Sequence, residues 1–275
     1  MGRYDGKILL SDMDGTLLDS KSRISENNKQ AIKTFIQEGG RFGIATGRCL
    51  ENAETFLDGV EINGYCILTN GGQLYDFNQQ KYIKEYGIEK EKIKSFLQKC
   101  LAEKQRIGIQ IYTKDMCCFI SREEYADQNV VRDHHPVKFV SLPDVMAAEW
   151  MKILFSGNES DLLWLESQSE YLETRGDVDR VRSGGIAGTP VKYYEFLPVG
   201  INKGSMVAEL KKYVTDRDTI YAVGDYYNDI DMLKTADVGI AMENAPDEVK
   251  GYADMVCTDC DQDAIADVIE NIITG

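Results

Sequence analysis

The stretch that decides the fold is Ser11-Asp12-Met13-Asp14-Gly15-Thr16-Leu17, which directly follows the apolar segment Ile8-Leu9-Leu10. The apolar segment is typical of a buried β-strand, so two carboxylates stand at a strand end, where removing them from water costs free energy. The Gly-Thr pair that follows lets the chain turn sharply out of the sheet. This arrangement fits a strand end that holds a metal ion and an anionic group. Taken alone, the stretch also fits a surface turn, and three downstream motifs favour the first interpretation.

Strands and helices alternate beyond this stretch. Ser25 is a candidate N-cap for a helix that ends near Gly39-Gly40. Residues 41–46 and 65–69 are predicted strands, separated by a short helix at 51–57. The same alternation resumes near the end of the chain, with predicted elements at residues 203–213, 219–223, 228–235, 238–241, 246–252, 255–257 and 263–273. Such alternation predicts a parallel sheet with right-handed crossovers.

The middle of the chain has a different character, beginning near Tyr82. Residues 107–113 and 117–121 flank a short turn, which is typical of a β-hairpin. Predicted helices at 89–103 and 159–173 alternate with predicted strands at 150–155 and 178–182. We therefore predict an α/β fold, in which a doubly wound parallel sheet (Rossmann-like) core spans residues 1–83 and 191–275. An inserted α+β domain would span residues 84–190.

Three further motifs join Asp12 and Asp14 at the edge where open α/β sheets bind ligands. Carboxylate oxygens such as those of Asp12 and Asp225 suit Mg²⁺. The Thr46 hydroxyl and the Lys203 ammonium suit a phosphoryl group, and an anion there would offset the unfavourable placement of a cation in the first turn of a helix. The motifs are Ile44-Ala45-Thr46-Gly47-Arg48, Gly200-Ile201-Asn202-Lys203-Gly204 and Gly224-Asp225-Tyr226-Tyr227-Asn228-Asp229.

Composition excludes some classes of partner. The chain of 275 residues carries 46 acidic and 31 basic residues, for a formal net charge of −15. Nucleic-acid binders depend on many Lys and Arg contacts to phosphates, so this charge argues against a nucleic-acid partner. No apolar run approaches the roughly 20 residues of a membrane span, and the N-terminus lacks the apolar region of a signal peptide. We therefore expect a cytoplasmic protein with no membrane partner.

The seven cysteines are scattered, and Cys257-Thr258-Asp259-Cys260 is formally a C-x-x-C motif. A zinc site would need a second cysteine pair, which the sequence lacks. A redox site would need the motif to open a helix beside a strand. We expect reduced structural thiols.

Together the four motifs resemble those of the haloacid dehalogenase-like superfamily of phosphotransferases, over essentially the whole chain. The opening Asp12-Met13-Asp14-Gly15-Thr16-Leu17 is similar to its first motif, Thr46 to the second and Lys203 to the third. Gly224-Asp225 with Asn228-Asp229 is similar to the fourth. The insertion between the second and third motifs, together with Asn70-Gly71-Gly72, resembles the Cof-type subfamily (class IIB), which has the larger α/β cap.

The resemblance implies a role for each matching residue. Asp12 would be the nucleophile that forms an aspartyl-phosphate, and Asp14 would act as general acid and then general base. Asp12, the main-chain carbonyl of Asp14 and Asp225 would hold Mg²⁺, and Thr46 and Lys203 would hold the phosphoryl group. The remaining candidates are Asn228 and Asp229, which would support the metal or Lys203, and Arg48 and Asn70, which would face the substrate or the cap.

The implied activity is Mg²⁺-dependent hydrolysis of a small phosphomonoester, such as a sugar phosphate or related metabolite. The resemblance implies that an acid at Asp14 separates this chain from the ATPase and dehalogenase branches of the superfamily. A hexose phosphomutase is an alternative, and a non-catalytic metabolite-binding protein is a third. Adjacent His134 and His135 are expected on the surface of the inserted domain. Tyr226 and Tyr227 would pack either on a substrate or between domains.

Overall fold

The computed structural model describes residues 2–103, 106–114, 116–122, 137–185 and 189–273. It divides into two compact units. The core unit comprises Met1–Lys84 and Asn202–Gly275, and the inserted unit comprises Glu85–Ile201. His134 and His135 lie outside the described residues. Within the described ranges, no helix combines the length and the apolar character needed to cross a membrane.

The elements follow in chain order. The first segment contains β1 (Lys7–Ser11), α1 (Glu26–Gln37), β2 (Arg41–Ile44), α2 (Leu50–Phe56), β3 (Tyr65–Leu68), β4 (Gln73–Asp76) and β5 (Lys81–Glu85). The middle contains α3 (Lys90–Glu103), β6 (Gly108–Thr113), β7 (Cys117–Phe119), β8 (Val137–Phe139), α4 (Leu142–Val145), β9 (Trp150–Gly157), α5 (Glu159–Thr174), β10 (Asp179–Gly185) and β11 (Lys192–Leu197). The last segment contains α6 (Lys203–Leu210), β12 (Thr219–Gly224), α7 (Ile230–Thr235), β13 (Val238–Met242), α8 (Asp247–Lys250), β14 (Met255–Cys257) and α9 (Ala264–Asp267).

The main sheet of the core unit has the strand order β14-β13-β12-β1-β2, and all its strand pairs are parallel. Strand β1 lies between β12 and β2, with Lys7 opposite Thr219 and Ser11 opposite Val223. The carboxyl end of β1 is therefore flanked by strands on both sides. In an open parallel sheet, this edge is where the loops that bind ligands converge.

Strand β3 lies beside the end of β2 in the parallel direction that the sequence predicts, but it also belongs to a second sheet that was not predicted. It pairs antiparallel with β4 in a three-stranded sheet, β3-β4-β5. One parallel bridge, between Ala45 and Ile67, joins it to the chain directly after β2. The chain reverses tightly at Thr69-Asn70-Gly71, and such a short connection can only join antiparallel strands, because a parallel partner needs a long crossover.

Helix α1 begins as the sequence predicts. The Ser25 hydroxyl accepts a hydrogen bond from the Asn28 backbone N–H at 3.1 Å, which caps the first turn. The buried side chains Ala31, Ile32 and Phe35 lie on one face of the helix, at the spacing of an amphipathic helix. This face packs the helix against the core, so burial adds to the capping bond in stabilising it.

The inserted unit is built on a six-stranded sheet in the order β10-β11-β9-β6-β7-β8. Its neighbours pair antiparallel except β7 and β8, and β6 pairs with β7 as the predicted hairpin requires. Helices α3 and α5 bury apolar side chains in one cluster with alternate residues of the central strands. From the strands this cluster takes Ile109, Ile111, Ile153, Phe155, Tyr194 and Phe196.

The inserted unit ends later than predicted. Strand β11 pairs with β9 on one side and β10 on the other, which makes it an interior strand of the inserted sheet. The structure therefore divides the chain between Ile201 and Asn202 instead of between residues 190 and 191. The sequence analysis predicted no strand at the position of β11, and it therefore placed these residues in the core unit.

All seven cysteines are free thiols. Burial raises the pKa of the Cys257 thiol to about 12, and burial together with neighbouring aspartates raises that of Cys260 to about 11. Both thiols are therefore protonated near neutral pH, and protonated thiols are poor nucleophiles and poor metal ligands. This agrees with the expectation of structural thiols.

Candidate active site

Asp12 lies at the carboxyl end of β1, directly after its last residue. Its backbone N–H donates to the Val223 carbonyl oxygen at 2.9 Å, so β12 fixes its position. Its own carbonyl oxygen accepts from the Leu17 backbone N–H at 3.2 Å and from the Ser11 hydroxyl at 2.7 Å. The Asp12 side chain is buried. The sheet and the following turn therefore hold this carboxylate firmly at the strand end.

The Lys203 ammonium bridges two carboxylates. Its Nζ donates to Asp12 Oδ1 at 2.7 Å and to Asp229 Oδ1 at 2.6 Å, and the side chain is fully buried. Lys203 opens α6, whose cap is Asn202, with its side-chain oxygen accepting from the Ser205 backbone N–H at 2.8 Å. Burial alone would lower the pKa of Lys203, but the two carboxylates raise it above its usual value. The lysine is therefore a permanent cation at this site.

Asp229 uses both of its carboxylate oxygens. While Oδ1 accepts from Lys203, Oδ2 accepts from the backbone N–H groups of Asp225 and Tyr226, each at 3.0 Å. Asp225 in turn accepts from the Thr16 hydroxyl at 3.3 Å. Asp229 therefore positions both the lysine and the loop that carries Asp225.

Gly15 allows Asp225 to approach the first motif. Its φ of +82° is a left-handed conformation, and a Cβ atom there would lie 2.5 Å from Asp225 Oδ2. The Gly15 carbonyl oxygen accepts from Asn244 Nδ2 at 2.9 Å, and the same amide donates to Asp225 Oδ2 at 3.4 Å. Only a residue without a side chain fits between the two motifs.

We refer to Asp12, Lys203, Asp225 and Asp229 as the core charge cluster. Burial raises the pKa of Asp12 to about 7, although the Lys203 ammonium opposes this shift. Burial raises the pKa of Asp225 to about 8, and the charges of Asp12 and Asp229 add to the effect. Three carboxylates thus share one ammonium, and the surplus negative charge is costly to keep out of water.

The donor set of this cluster fits a divalent cation. Carboxylate oxygens of Asp12, Asp225 and Asp229 lie within 4.8 Å of one another. Mg²⁺ prefers such hard oxygen ligands and needs few of them from the protein, and its charge would balance the surplus of the three carboxylates over Lys203. Both oxygens of Asp229 accept hydrogen bonds of 2.6 to 3.0 Å, whereas the hydrogen bonds to the Asp225 oxygens are longer, at 3.3 and 3.4 Å. Lys203 engages one oxygen of Asp12, so Asp12 and Asp225 are the better ligands.

Asp14 and Arg48 form a bidentate ion pair. Arg48 Nε donates to Asp14 Oδ2 at 2.9 Å and Nη2 donates to Oδ1 at 2.7 Å. Helix α2 holds the arginine in turn, because Nη1 donates to Asn52 Oδ1 at 2.6 Å and the guanidinium carbon lies 4.0 Å from the centre of the Phe56 ring. The predicted acid is thus oriented by the residue predicted to face the substrate or cap.

Thr46, Asn70 and Asn228 converge beside β2. The buried side-chain hydroxyl of Thr46 accepts from the Arg48 backbone N–H at 3.2 Å. The backbone carbonyl oxygen of Thr46 accepts from the Asn70 backbone N–H at 3.0 Å. Asn228 Nδ2 donates to Asn70 Oδ1 at 3.1 Å, so this bond ties Asn228 to the Asn70 loop, whereas the sequence analysis assigned it to the metal or Lys203. Thr69 and Asn70 have φ of 52° and 58°, a strained conformation that is concentrated at functional sites.

A family model of haloacid dehalogenase-like hydrolases matches residues 9–269. The chain belongs to this family. The resemblance read from the four motifs is therefore confirmed, and so is the predicted α/β fold.

Two proteins resemble this chain along most of its length. The 5-amino-6-(5-phospho-D-ribitylamino)uracil phosphatase YcsE of Bacillus subtilis (strain 168) is 26% identical over 268 residues, which cover 97% of this chain and 96% of that protein. A solved haloacid dehalogenase-like hydrolase from Bacteroides thetaiotaomicron is 26% identical with a TM-score of 0.81, covering 98% of this chain and 99% of that one.

A further relative is the chloroplastic endoribonuclease YBEY of Arabidopsis thaliana, which is 27% identical over 281 residues. The match covers 95% of this chain but 45% of that protein. This haloacid dehalogenase-like hydrolase therefore spans less than half of the length of that relative.

Every residue that the sequence analysis assigned to the site lies in the core unit of this hydrolase. The analysis assigned no role to Thr16, Asn244, Asn52 or Phe56, although Thr16 stands within the quoted motif. Asn52 and Phe56 follow Arg48 at intervals of four residues, the spacing of one helix face, and this periodicity could have identified them. Tyr226 and Tyr227 pack edge to face, with ring centres 5.0 Å apart.

Proposed function

We propose that this protein is a Mg²⁺-dependent phosphatase that hydrolyses a small phosphomonoester through an aspartyl-phosphate on Asp12. The observation that carries the proposal is the buried Lys203, which contacts both Asp12 and Asp229 at hydrogen-bond distance. A fixed cation beside a carboxylate at a strand end lowers the repulsion that an incoming phosphoryl group would meet.

In the first step, an Asp12 carboxylate oxygen attacks phosphorus. Lys203 engages Oδ1 and so leaves Oδ2 as the attacking atom. The new bond joins Asp12 to phosphorus, and the bond from phosphorus to the leaving oxygen breaks. Asp14 donates a proton to that oxygen, so that the product leaves as an alcohol. Because Arg48 pairs with both Asp14 oxygens, this ion pair must open to let the acid act.

In the second step, water attacks the phosphorus of the aspartyl-phosphate. Asp14 accepts the proton of that water, phosphate departs and the Asp12 carboxylate is restored. Thr46 and Lys203 hold the phosphoryl group during both steps. Mg²⁺ held by Asp12, Asp225 and the main-chain carbonyl of Asp14 would offset the negative charge of the phosphoryl oxygens. Asp229 keeps Lys203 and the Asp225 loop in place throughout.

We propose that the substrate is a sugar phosphate or a related small metabolite, and that the inserted unit is a cap domain that selects its leaving group. The relative YcsE is named for a substrate whose phosphate is carried on a ribityl chain, which supports a polyhydroxylated leaving group. The net charge of −15 supports a small ligand over a nucleic acid.

The test is phosphate release from a panel of sugar, polyol, nucleotide and carboxylate phosphates, with Mg²⁺, with EDTA, and with Asp12→Asn. The variant removes the nucleophile with almost no change of volume, and exposed Asp247→Asn is the matched control. Release that requires Mg²⁺ and is lost only in Asp12→Asn supports the proposal. Full activity of Asp12→Asn would overturn the mechanism, and turnover that appears only with a bisphosphate activator would favour a mutase.

A further inference from the structure

Asn244 is an exposed residue whose side-chain amide contacts three separate loops of the core unit. It lies two residues after the end of β13. Its Nδ2 donates to the Gly15 carbonyl oxygen at 2.9 Å and to Asp225 Oδ2 at 3.4 Å, and its Oδ1 accepts from the Cys260 backbone N–H at 3.2 Å. A side-chain amide has two N–H donors and one acceptor oxygen. The donors and the acceptor of Asn244 are therefore all engaged within the protein, although the residue lies at the surface.

The three loops follow neighbouring strands of the main sheet. Gly15 follows β1, Asp225 directly follows β12 and Cys260 follows β14, while Asn244 itself follows β13. The strand order β14-β13-β12-β1 places these four carboxyl ends side by side. Loops are more mobile than the strands they connect unless other contacts hold them. Asn244 is thus a single side chain that joins the loops beyond four neighbouring strands.

The groups that Asn244 contacts belong to the expected metal ligands or stand next to one. Asp225 supplies a carboxylate of the core charge cluster, and Gly15 directly follows Asp14, whose main-chain carbonyl is a further expected ligand. The other oxygen of the Asp225 carboxylate accepts from the Thr16 hydroxyl at 3.3 Å. Both of these donors to Asp225 are neutral, whereas the neighbouring carboxylates of the cluster repel it. The position of Asp225 therefore depends on the two neutral donors.

We propose that Asn244 is a positioning residue for the metal, which holds the Asp225 carboxylate and the turn after Asp14 where both would bind Mg²⁺. The inference rests on the proposed function, because that function supplies the metal. Mg²⁺ requires near-octahedral geometry, so a small displacement of one ligand weakens its binding. Residues that hydrogen-bond to metal ligands contribute about ten- to a hundredfold to metal affinity. Asn244 is not itself a ligand, since its oxygen already accepts from Cys260.

The test measures the Kd for Mg²⁺ by isothermal titration calorimetry on the metal-free protein. Asn244→Ala should raise this Kd about tenfold, because it removes all three hydrogen bonds of the amide. Asn244 is exposed, so its loss leaves the hydrophobic core intact, and a thermal melt without Mg²⁺ verifies that the variant is folded. An unchanged Kd in the folded variant would overturn the inference.

Asn63→Ala is the matched control, because the Asn63 amide also joins two backbone segments of the core unit. Its Nδ2 donates to the Gly40 carbonyl oxygen at 3.0 Å, and its Oδ1 accepts from the Phe42 backbone N–H at 2.8 Å. These contacts lie near the start of β2, at the opposite edge of the main sheet from Asp12. The control should lower the melting temperature but change the Kd for Mg²⁺ by less than about twofold. A rise as large as that of Asn244→Ala would show a general loosening of the fold and overturn the inference.

Phosphate release from 4-nitrophenyl phosphate provides a second readout. In Asn244→Ala, the Mg²⁺ concentration that gives half-maximal release should rise about tenfold. The value of kcat at saturating Mg²⁺ should stay within about twofold of the wild type, because a higher concentration compensates for weaker binding. A lower kcat with an unchanged half-maximal Mg²⁺ concentration would assign Asn244 to the chemical step and overturn the inference.

The proposed function can fail separately. If the wild type binds Mg²⁺ but releases phosphate from no compound of the panel, the phosphatase is refuted, and a tenfold difference between the two Kd values would still support the inference. If the wild type releases phosphate and Asn244→Ala binds Mg²⁺ as tightly, only the inference fails. A wild type that binds no Mg²⁺ in the calorimeter would overturn both the metal dependence and the inference.

Discussion

Two lysine side chains are buried among the described residues, and they stand in opposite electrostatic situations. Lys203 in the core unit faces carboxylates that outnumber it, whereas Lys152 in the inserted unit is balanced by Glu195. The core charge cluster therefore needs a further cation. The Lys152–Glu195 pair needs none. The contrast teaches that a buried lysine matched by one carboxylate forms a closed ion pair, whereas a buried lysine outnumbered by carboxylates indicates a site that a cation would complete.

The largest effect should come from Lys203→Met. Removing the only ammonium of the core charge cluster leaves buried carboxylates unpaired, which should destabilise the fold by about 3–5 kcal/mol. Phosphate release should fall at least about a thousandfold, because the attacking carboxylate loses its fixed cation. Urea unfolding and a phosphate-release assay measure the two effects.

Lys211→Met is the matched control for this substitution, since Lys211 forms a half-exposed ion pair with Asp237. Its loss should change the free energy of unfolding by less than about 1 kcal/mol and leave turnover intact. If Lys203→Met were as stable and as active as Lys211→Met, the role given to Lys203 in the core charge cluster would be wrong.

Asp14→Asn tests whether Asp14 supplies a proton to the leaving group. Turnover of alkyl phosphates should fall by roughly a hundred- to a thousandfold, because an alkoxide needs a proton to depart. Turnover of 4-nitrophenyl phosphate should fall far less, since nitrophenolate leaves without one. Steady-state kinetics on both substrates give the answer, and equal losses would remove the acid role from Asp14.

The Lys152–Glu195 pair should behave as a balanced unit. Lys152→Met alone leaves a buried carboxylate and should cost about 3 kcal/mol of the free energy of unfolding. The double variant Lys152→Met/Glu195→Leu should return to within about 1 kcal/mol of the wild type. Urea unfolding of the two variants tests this. If the double variant were less stable than the single one, the pair would be a structural element in its own right.

The smallest effect is a pH dependence of stability. Because the pKa values of Asp12 and Asp225 are raised to about 7 and 8, the folded state binds more protons than the unfolded state above pH 4. The stability of the metal-free protein should therefore fall as pH rises from 5 toward 8, and its melting temperature should fall with it. Thermal melts should show a smaller fall with Mg²⁺, which binds the ionised carboxylates. Identical slopes with and without Mg²⁺ would argue against a cation at the cluster.

The parts of the site that lie within short motifs were predictable from the sequence. Asp12, Lys203 and Asp225 stand at strand and helix ends, and the topology of a parallel sheet brings such ends together. The Asp14–Arg48 ion pair was not predictable, because it depends on how α2 holds the guanidinium against Phe56. No local pattern encodes which side-chain oxygens an arginine will reach.

The fold was likewise predictable in part from the sequence. Alternating strands and helices indicated the parallel core, and β3 does lie beside β2 through a parallel bridge, but its antiparallel pairing with β4 was not predicted. Short apolar runs do not specify their partner strand.

The pairing of Lys7 with Thr219 has a consequence for biosynthesis. The strand that carries the nucleophile and its neighbour β2 emerge from the ribosome early, but its other neighbour, β12, follows only after the whole inserted unit has been made. We expect the inserted unit to fold on the nascent chain first, since domains fold as units during translation. Asp225 and Asp229 are still unmade at that moment. The polypeptide therefore stays chemically inert during most of its synthesis, and the hydrolytic centre is among the last parts to mature.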